Sequence, residues 1–267
     1  MKKDKNLEYV QKLRNGGVNN KAMNYINDLR PVKPAAPSVE TPSETPDYLC
    51  FTATGESTIR LVNRNNYPVL FYSKDKENWT SWDYSTITLN DGESLYLYGD
   101  NPNGISKGAN SYSNFTMIGS IAVSGNIQTL LSKEGDILTV TEYCYYLMFK
   151  DCTYITTAPE LPATTLAANC YNSMFEGCTG LTTAPELPAT TLADGCYSYM
   201  FSDCTKLQSV TTYVTTWNTD NTADWLYNAG TSAENPTIYC PANSNLKNVS
   251  DSDSGIPYGW VQVDLTE

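Results

Sequence analysis

The chain has 267 residues, 40% hydrophobic and only 17% charged, with a net charge of −12 and no histidine. The missing histidine removes Ser-His-Asp and Cys-His catalysis and most zinc and haem ligation. No run approaches the ~18 apolar residues that cross a bilayer, so membrane insertion is not expected.

Charge is unevenly placed. Residues 1–33 carry eight Lys or Arg against three acids, a net of +5, and residues 34–267 carry nine against 26, a net of −17; the two make up the −12. A body this acidic repels nucleic acid and anionic membrane, so electrostatic partnering begins at the basic arm. The opening "MKKDKNLEYVQKLRNGG" starts as a signal peptide does, but Glu8, Gln11, Lys12 and Arg14 interrupt any apolar core. Export by this terminus is therefore not expected. Folding in a reducing cytoplasm is, which disfavours a disulfide framework.

Residues 1–30 read as a helical anchor arm of two short helices. Leu7, Val10 and Leu13 recur at helical spacing before Gly16-Gly17, and Met23, Ile26 and Leu29 follow a cap at Asn19 or Asn20. Helices under ~12–15 residues are marginal in water, so these dock on something: the protein's own body or another molecule. The docking candidates are Lys2, Lys3, Lys5, Leu7, Val10, Leu13, Arg14, Lys21, Met23, Ile26, Leu29 and Arg30. The proline-rich residues 31–47 then predict a stiff extended linker, reaching roughly 50 Å at ~3.1 Å per residue. That length favours the arm binding a different molecule.

From 48 to 133 the pattern has period two, broken by Asn, Asp, Gly and Pro clusters. "STIRLVN", "PVLFYS", "STITLN", "ESLYLYG" and "FTMIGSIAVSG" are strand candidates, with a turn at Asn90–Gly92. The expectation is a small antiparallel β-sandwich. Trp79 and Trp82 resemble a carbohydrate-stacking pair, but such aromatics more often form core and rim.

Residues 134–230 repeat with period 26. Cys144, Cys170 and Cys196 form one series, and Cys152, Cys178 and Cys204 a second. Met148, Met174 and Met200 are in phase, as are Phe149, Phe175 and Phe201, and "TTAPELPATTLA" occurs twice unchanged. A degenerate fourth copy sets Leu226-Tyr227 at the Met-Phe place and Gly230 at the second Cys. Self-similarity at this period predicts a short solenoid of stacked coils. Each coil is expected to carry a short strand that pairs in parallel with the next, and a helical turn over Cys196, Met200 and Cys204. The cysteines read as small buried fillers; disulfides and a metal array are the alternatives, and C-x₇-C lacks the short spacing of zinc sites. No catalytic, cofactor or metal residues are assigned. Glu160 and Glu186 stack by duplication and read as a solvated face, not as an acid–base pair. Residues 231–267 are expected to cap the stack, with "DSDSG" at Asp251 a polar turn that lacks a full calcium loop.

"MFEGCTGLTTAPELPATTLA" and "MFSDCTKLQSV" resemble leucine-rich repeats of the BspA type, with their F-x-x-C-x-x-L core. The tail "ADWLYNAGTS…TIYCPANS…SGIPYGWVQV" and the preceding sandwich are similar to the same group. The Pro-rich "APELPA" departs from its pattern. The resemblance implies either of two contexts. One is a virion protein of crAss-like Bacteroides phages, a head fibre or capsid decoration, non-enzymatic and assembled in the host cytoplasm. Its arm would bind capsid proteins through residues 1–33, it would be a homotrimer, and its repeats would touch bacterial surface glycan or protein. The other is a BspA-like adhesin on the bacterial cell surface. The resemblance implies no cofactor.

Overall fold

The computed structural model describes residues 46–246, 248–249 and 255–265. The anchor arm, nearly all of the linker and the "DSDS" of the Asp251 turn lie outside the described residues. The described residues all fall in one compact unit, and the described chain is mainly β.

Two antiparallel sheets open it. The first has the order β4-β3-β6-β1-β8, built from β1 (Leu49–Ala53), β3 (Leu70–Ser73), β4 (Thr80–Ser81), β6 (Ser94–Gly99) and β8 (Ile121–Ser124). The second has the order β5-β2-β7, from β2 (Ser57–Arg64), β5 (Ile87–Leu89) and β7 (Tyr112–Ile118). Alternation decides which side chains turn inward: Leu49, Phe51 and Ala53 of β1 and Ile59 and Leu61 of β2 are all buried. The two sheets meet across Phe51 and Phe115, whose rings are 5.0 Å apart. "FTMIGSIAVSG" divides into β7 and β8 at Gly119, where φ is 87° and a Cβ would meet the Glu56 carbonyl at 2.6 Å.

The repeat does not contain the expected helix. Its Cys-to-Cys stretch is a run of turns in which every fourth residue is left-handed: Tyr143, Leu147 and Asp151, then Asn169, Ser173 and Gly177, then Gly195, Tyr199 and Asp203. This conformation splits the backbone donors into two sets. The N–H groups of Tyr146, Met148, Lys150 and Cys152 bond three residues back within their own turn. Those of Tyr143, Tyr145, Leu147, Phe149 and Asp151 point the other way, to the carbonyls of Ala168, Cys170, Asn172, Met174 and Glu176 in the next copy, at 2.8–3.1 Å. A helix would satisfy all of these groups internally and leave neighbouring copies only side-chain contacts. Alternate donation instead makes each copy the hydrogen-bonding partner of the next.

The same link joins copy two to copy three: Tyr171 N–H donates to Cys196 and Phe175 N–H to Met200. In the fourth copy the offset falls from 25 residues to 24, with Tyr197 donating to Asn221, Phe201 to Trp225 and Asp203 to Tyr227. The expected alignment of that copy is therefore one residue out. Trp225 stands in the Met place and Leu226 in the Phe place. Ala229 takes the second Cys place, its N–H bonding the Leu226 carbonyl as Cys204 bonds Phe201.

On the other side of the copies the strands run parallel. Ile121 of β8 bridges to Ile155, and Thr183 bridges to Ser209 of β9 (Ser209–Thr211). Strand β9 pairs in parallel with β10 (Thr237–Pro241). That strand pairs in turn with β13 (Val261–Leu265). The small β11 (Asn248–Val249) and β12 (Ile256–Pro257) form a separate parallel pair. The C-terminal strands thus continue the parallel pairing past the last copy.

Candidate functional site

The repeat-core residues are placed by this alternating ladder. Cys144, Met148, Phe149, Cys152, Cys170, Met174, Phe175, Cys178, Cys196, Met200, Phe201 and Cys204 are all buried. The rings of Phe149, Phe175 and Phe201 form a column with centroids 5.4 and 5.6 Å apart and planes within 5°. Phe115 of β7 extends the column by one place, 5.4 Å from Phe149. Its N–H donates to the Met148 carbonyl, just as Phe149 donates to Met174. A second column, Tyr145, Tyr171 and Tyr197, runs beside the first with centroids 5.6 and 6.2 Å apart. Those tyrosines keep the 26-residue phase, so the signal for them was present in the sequence.

The second cysteine series does more than fill space. The thiols of Cys152, Cys178 and Cys204 donate to the carbonyls of Phe115, Phe149 and Phe175 at 3.3, 3.0 and 3.1 Å. Each tie runs back to the preceding member of the Phe column. All eight cysteines are free and buried. Burial pushes the Cys144, Cys152 and Cys196 thiols up to about 12, and it raises Cys170, Cys178 and Cys204 as well. A thiol that stays protonated is neither a nucleophile nor a ready metal ligand. Among the described residues no group of three or more Cys, Asp or Glu is arranged to hold a metal ion. A chromogenic disulfide reagent is expected to find none of the eight thiols reactive in the native protein and all eight after unfolding. Rapid native reaction of any repeat cysteine would contradict the packing.

Outside the columns the two glutamates differ. Glu160 is exposed, whereas Glu186 is half-buried, which corrects the expectation of one solvated face. Burial, with Glu160 nearby, raises the Glu186 carboxyl above its ordinary range. The unfolded chain then loses that proton at lower pH than the folded one, so the charge costs stability as pH rises through the ordinary carboxylate range and beyond. Glu186→Gln is expected to raise the melting temperature at pH 7, and the gain should vanish below about pH 4. Melting curves of both proteins across pH 3–8 check this. In "KDC" and "EGC", Lys150 and Glu176 form an ion pair of 2.7 Å between successive copies.

The two tryptophans separate. Trp82 is buried against Phe115, while Trp79 is part-exposed on the outer face of the first sheet, edge-on to Tyr98 at 4.6 Å. Phe71 stacks on the same Tyr98 at 4.9 Å, and Lys133 lies over that ring. Sequence reasoning passed over this cluster because its members come from β3, β6, the turn between β3 and β4, and the segment after β8 that carries Lys133. At the far end of the repeats, Trp225 donates to the Gly255 carbonyl at 2.9 Å and Trp260 to Ala229 at 3.1 Å. No described helix is long and apolar enough to cross a membrane. No protein-family model, curated protein or solved structure matches the chain.

Proposed function

We propose that the chain is a non-enzymatic structural protein of a bacteriophage virion, a head fibre or capsid decoration. Residues 1–33 anchor it to capsid protein, the proline-rich run holds the body away, and the body is displayed outward for binding at a bacterial surface. In this proposal the two antiparallel sheets form a β-sandwich. The 26-residue copies are coils of a leucine-rich-repeat-like solenoid, and residues 231–267 cap it.

The observation that carries the proposal is the division of charge: +5 in residues 1–33 against −17 in the rest, with the prolines at the boundary. An acidic body resists settling on its neighbours, while a basic arm finds an acidic or polar seat. The repeats support a scaffold role, because their cysteines, methionines and phenylalanines and the Tyr145, Tyr171 and Tyr197 series are all buried. In a homotrimer three arms would act together and gain avidity without new contacts.

The test is deletion of residues 1–33. Virions assembled with the truncated chain should lack it, while the purified body melts as the full chain does. Normal incorporation of the truncated chain would overturn the anchor. Recovery of the full chain on the bacterial envelope in uninfected cells would favour the adhesin alternative.

A further inference from the structure

Strand β2 pairs with β5 only over Ser57–Ile59, opposite Leu89–Ile87. The same register, continued, would bring Leu61 opposite Ser85 and Asn63 opposite Asp83. The chain leaves it at Tyr84, a non-glycine residue with φ of 64°, whose hydroxyl donates to the Pro68 carbonyl at 2.6 Å. The departure opens a slot of about 420 Å³, with Arg60, Val62 and Asn63 on one wall and Tyr84, Ser85 and Thr86 on the other. That volume suits a small ligand.

The charge of the slot sets it apart. Arg60 and Arg64 are the two arginines of residues 34–267, within a segment of net charge −17. The ion pairs among the described residues are Lys74–Glu93 and Lys150–Glu176, so neither arginine has a carboxylate partner among them. Asp83 also lines the slot, but it turns one oxygen to the Ser85 N–H at 3.0 Å. An unpaired guanidinium amid so many acids offers a planar fork that fits a carboxylate. Around it stand hydroxyl, amide and carboxylate groups able to bond a polyol, and the Tyr84 ring with Val62 offers an apolar face.

We propose that this slot binds an acidic sugar residue, a hexuronate within a glycan, with its carboxylate on Arg60 and its ring against Tyr84 and Val62. An acidic peptide fits less well. Residues 83–86 form the opposite wall and lie in the path of a strand added beside β2, so the slot suits one sugar residue of a glycan better than a strand-like peptide. The inference rests on the outward-display proposal and moves the contact from the repeats to the edge of the second sheet.

Calorimetric titration of the full chain with a galacturonate tetramer tests it. The expected result is saturable binding that weakens at least tenfold with the carboxyl-reduced tetramer and in Arg60→Gln, falls in Thr86→Val on the opposite wall, and stays within twofold in Arg64→Gln. Arg60 is exposed, and an unchanged melting temperature verifies that its variant folds. Absent binding, binding that survives Arg60→Gln, or equal binding of tetraglutamate would overturn the proposal. Virion incorporation of Arg60→Gln is read separately. A failed titration therefore leaves the anchor standing, and a failed anchor leaves the titration standing.

Discussion

Phe175→Ala is expected to destabilise the protein by about 3–5 kcal/mol, the range for removing a fully buried aromatic ring. The ring lies between Phe149 and Phe201 at 5.4 and 5.6 Å, with no solvent exposure. The cost depends on how far the surroundings can close over the void. Here they have little freedom. The Phe175 N–H is fixed to the Met200 carbonyl at 2.9 Å, its own carbonyl accepts the Cys204 thiol, and the Phe149 N–H bonds Met174. Each neighbouring copy is held by five such backbone bonds, so the cavity persists instead of collapsing. Phe175→Leu keeps most of the volume and should cost roughly 1.5 kcal/mol or less if the column repacks. Denaturant midpoints with unchanged slopes would measure both. A Phe175→Ala cost under about 1 kcal/mol would mean that the column is not a continuous core.

Trp225→Ala is expected to cost a similar ~3–5 kcal/mol, but with a different readout. Trp225 is fully buried, packs on Trp217 at 4.7 Å, and ties the last copy to the C-terminal segment through its indole N–H and the Gly255 carbonyl. Its loss removes packing and leaves that carbonyl without its donor. The strands beyond should loosen first, so Cys240 in β10 becomes the first thiol to react with a labelling reagent under native conditions. Trp225→Phe, which keeps a ring but no N–H, should fall between wild type and Ala. A silent Cys240 in Trp225→Ala would mean that the C-terminal strands are held independently of this residue.

The period of 26 was legible because duplication leaves the same side chain at the same depth in every copy, and burial of the Cys, Met and Phe series follows from that. The conformation of the turn run was less so. Cys196, Met200 and Cys204 at intervals of four suit a helical stripe equally well. The discriminating signal was the left-handed series, where Asn169, Gly177, Gly195, Asp151 and Asp203 are residue types that tolerate positive φ. Leu147 and Tyr199 hide it, since nothing in their chemistry announces that conformation. The fourth copy slipped by one residue because Trp225, Leu226 and Ala229 are buried and apolar like the residues they replace but share neither their identity nor, for Trp225, their size. Strand β1 and the slot beside Tyr84 depend on which strands pair, and local pattern does not encode pairing between distant segments.

Phe115 has a consequence for how such a chain can change over time. A strand of the opening sheets presents the same ring, the same N–H donor and the same carbonyl acceptor as a repeat copy, and Trp225 receives the Phe201 donor at the far end. The opening end thus repeats the ring, the backbone donor and the thiol acceptor of the middle, while the far end repeats the backbone donors alone, with Ala229 where a thiol would stand. A gene that gained or lost one 26-residue unit would form no junction absent from the present molecule, and its reach would change by about one strand spacing, ~4.8 Å. Length in this protein is adjustable in whole steps, and the unchanged "TTAPELPATTLA" is what a recent step of that kind would leave behind.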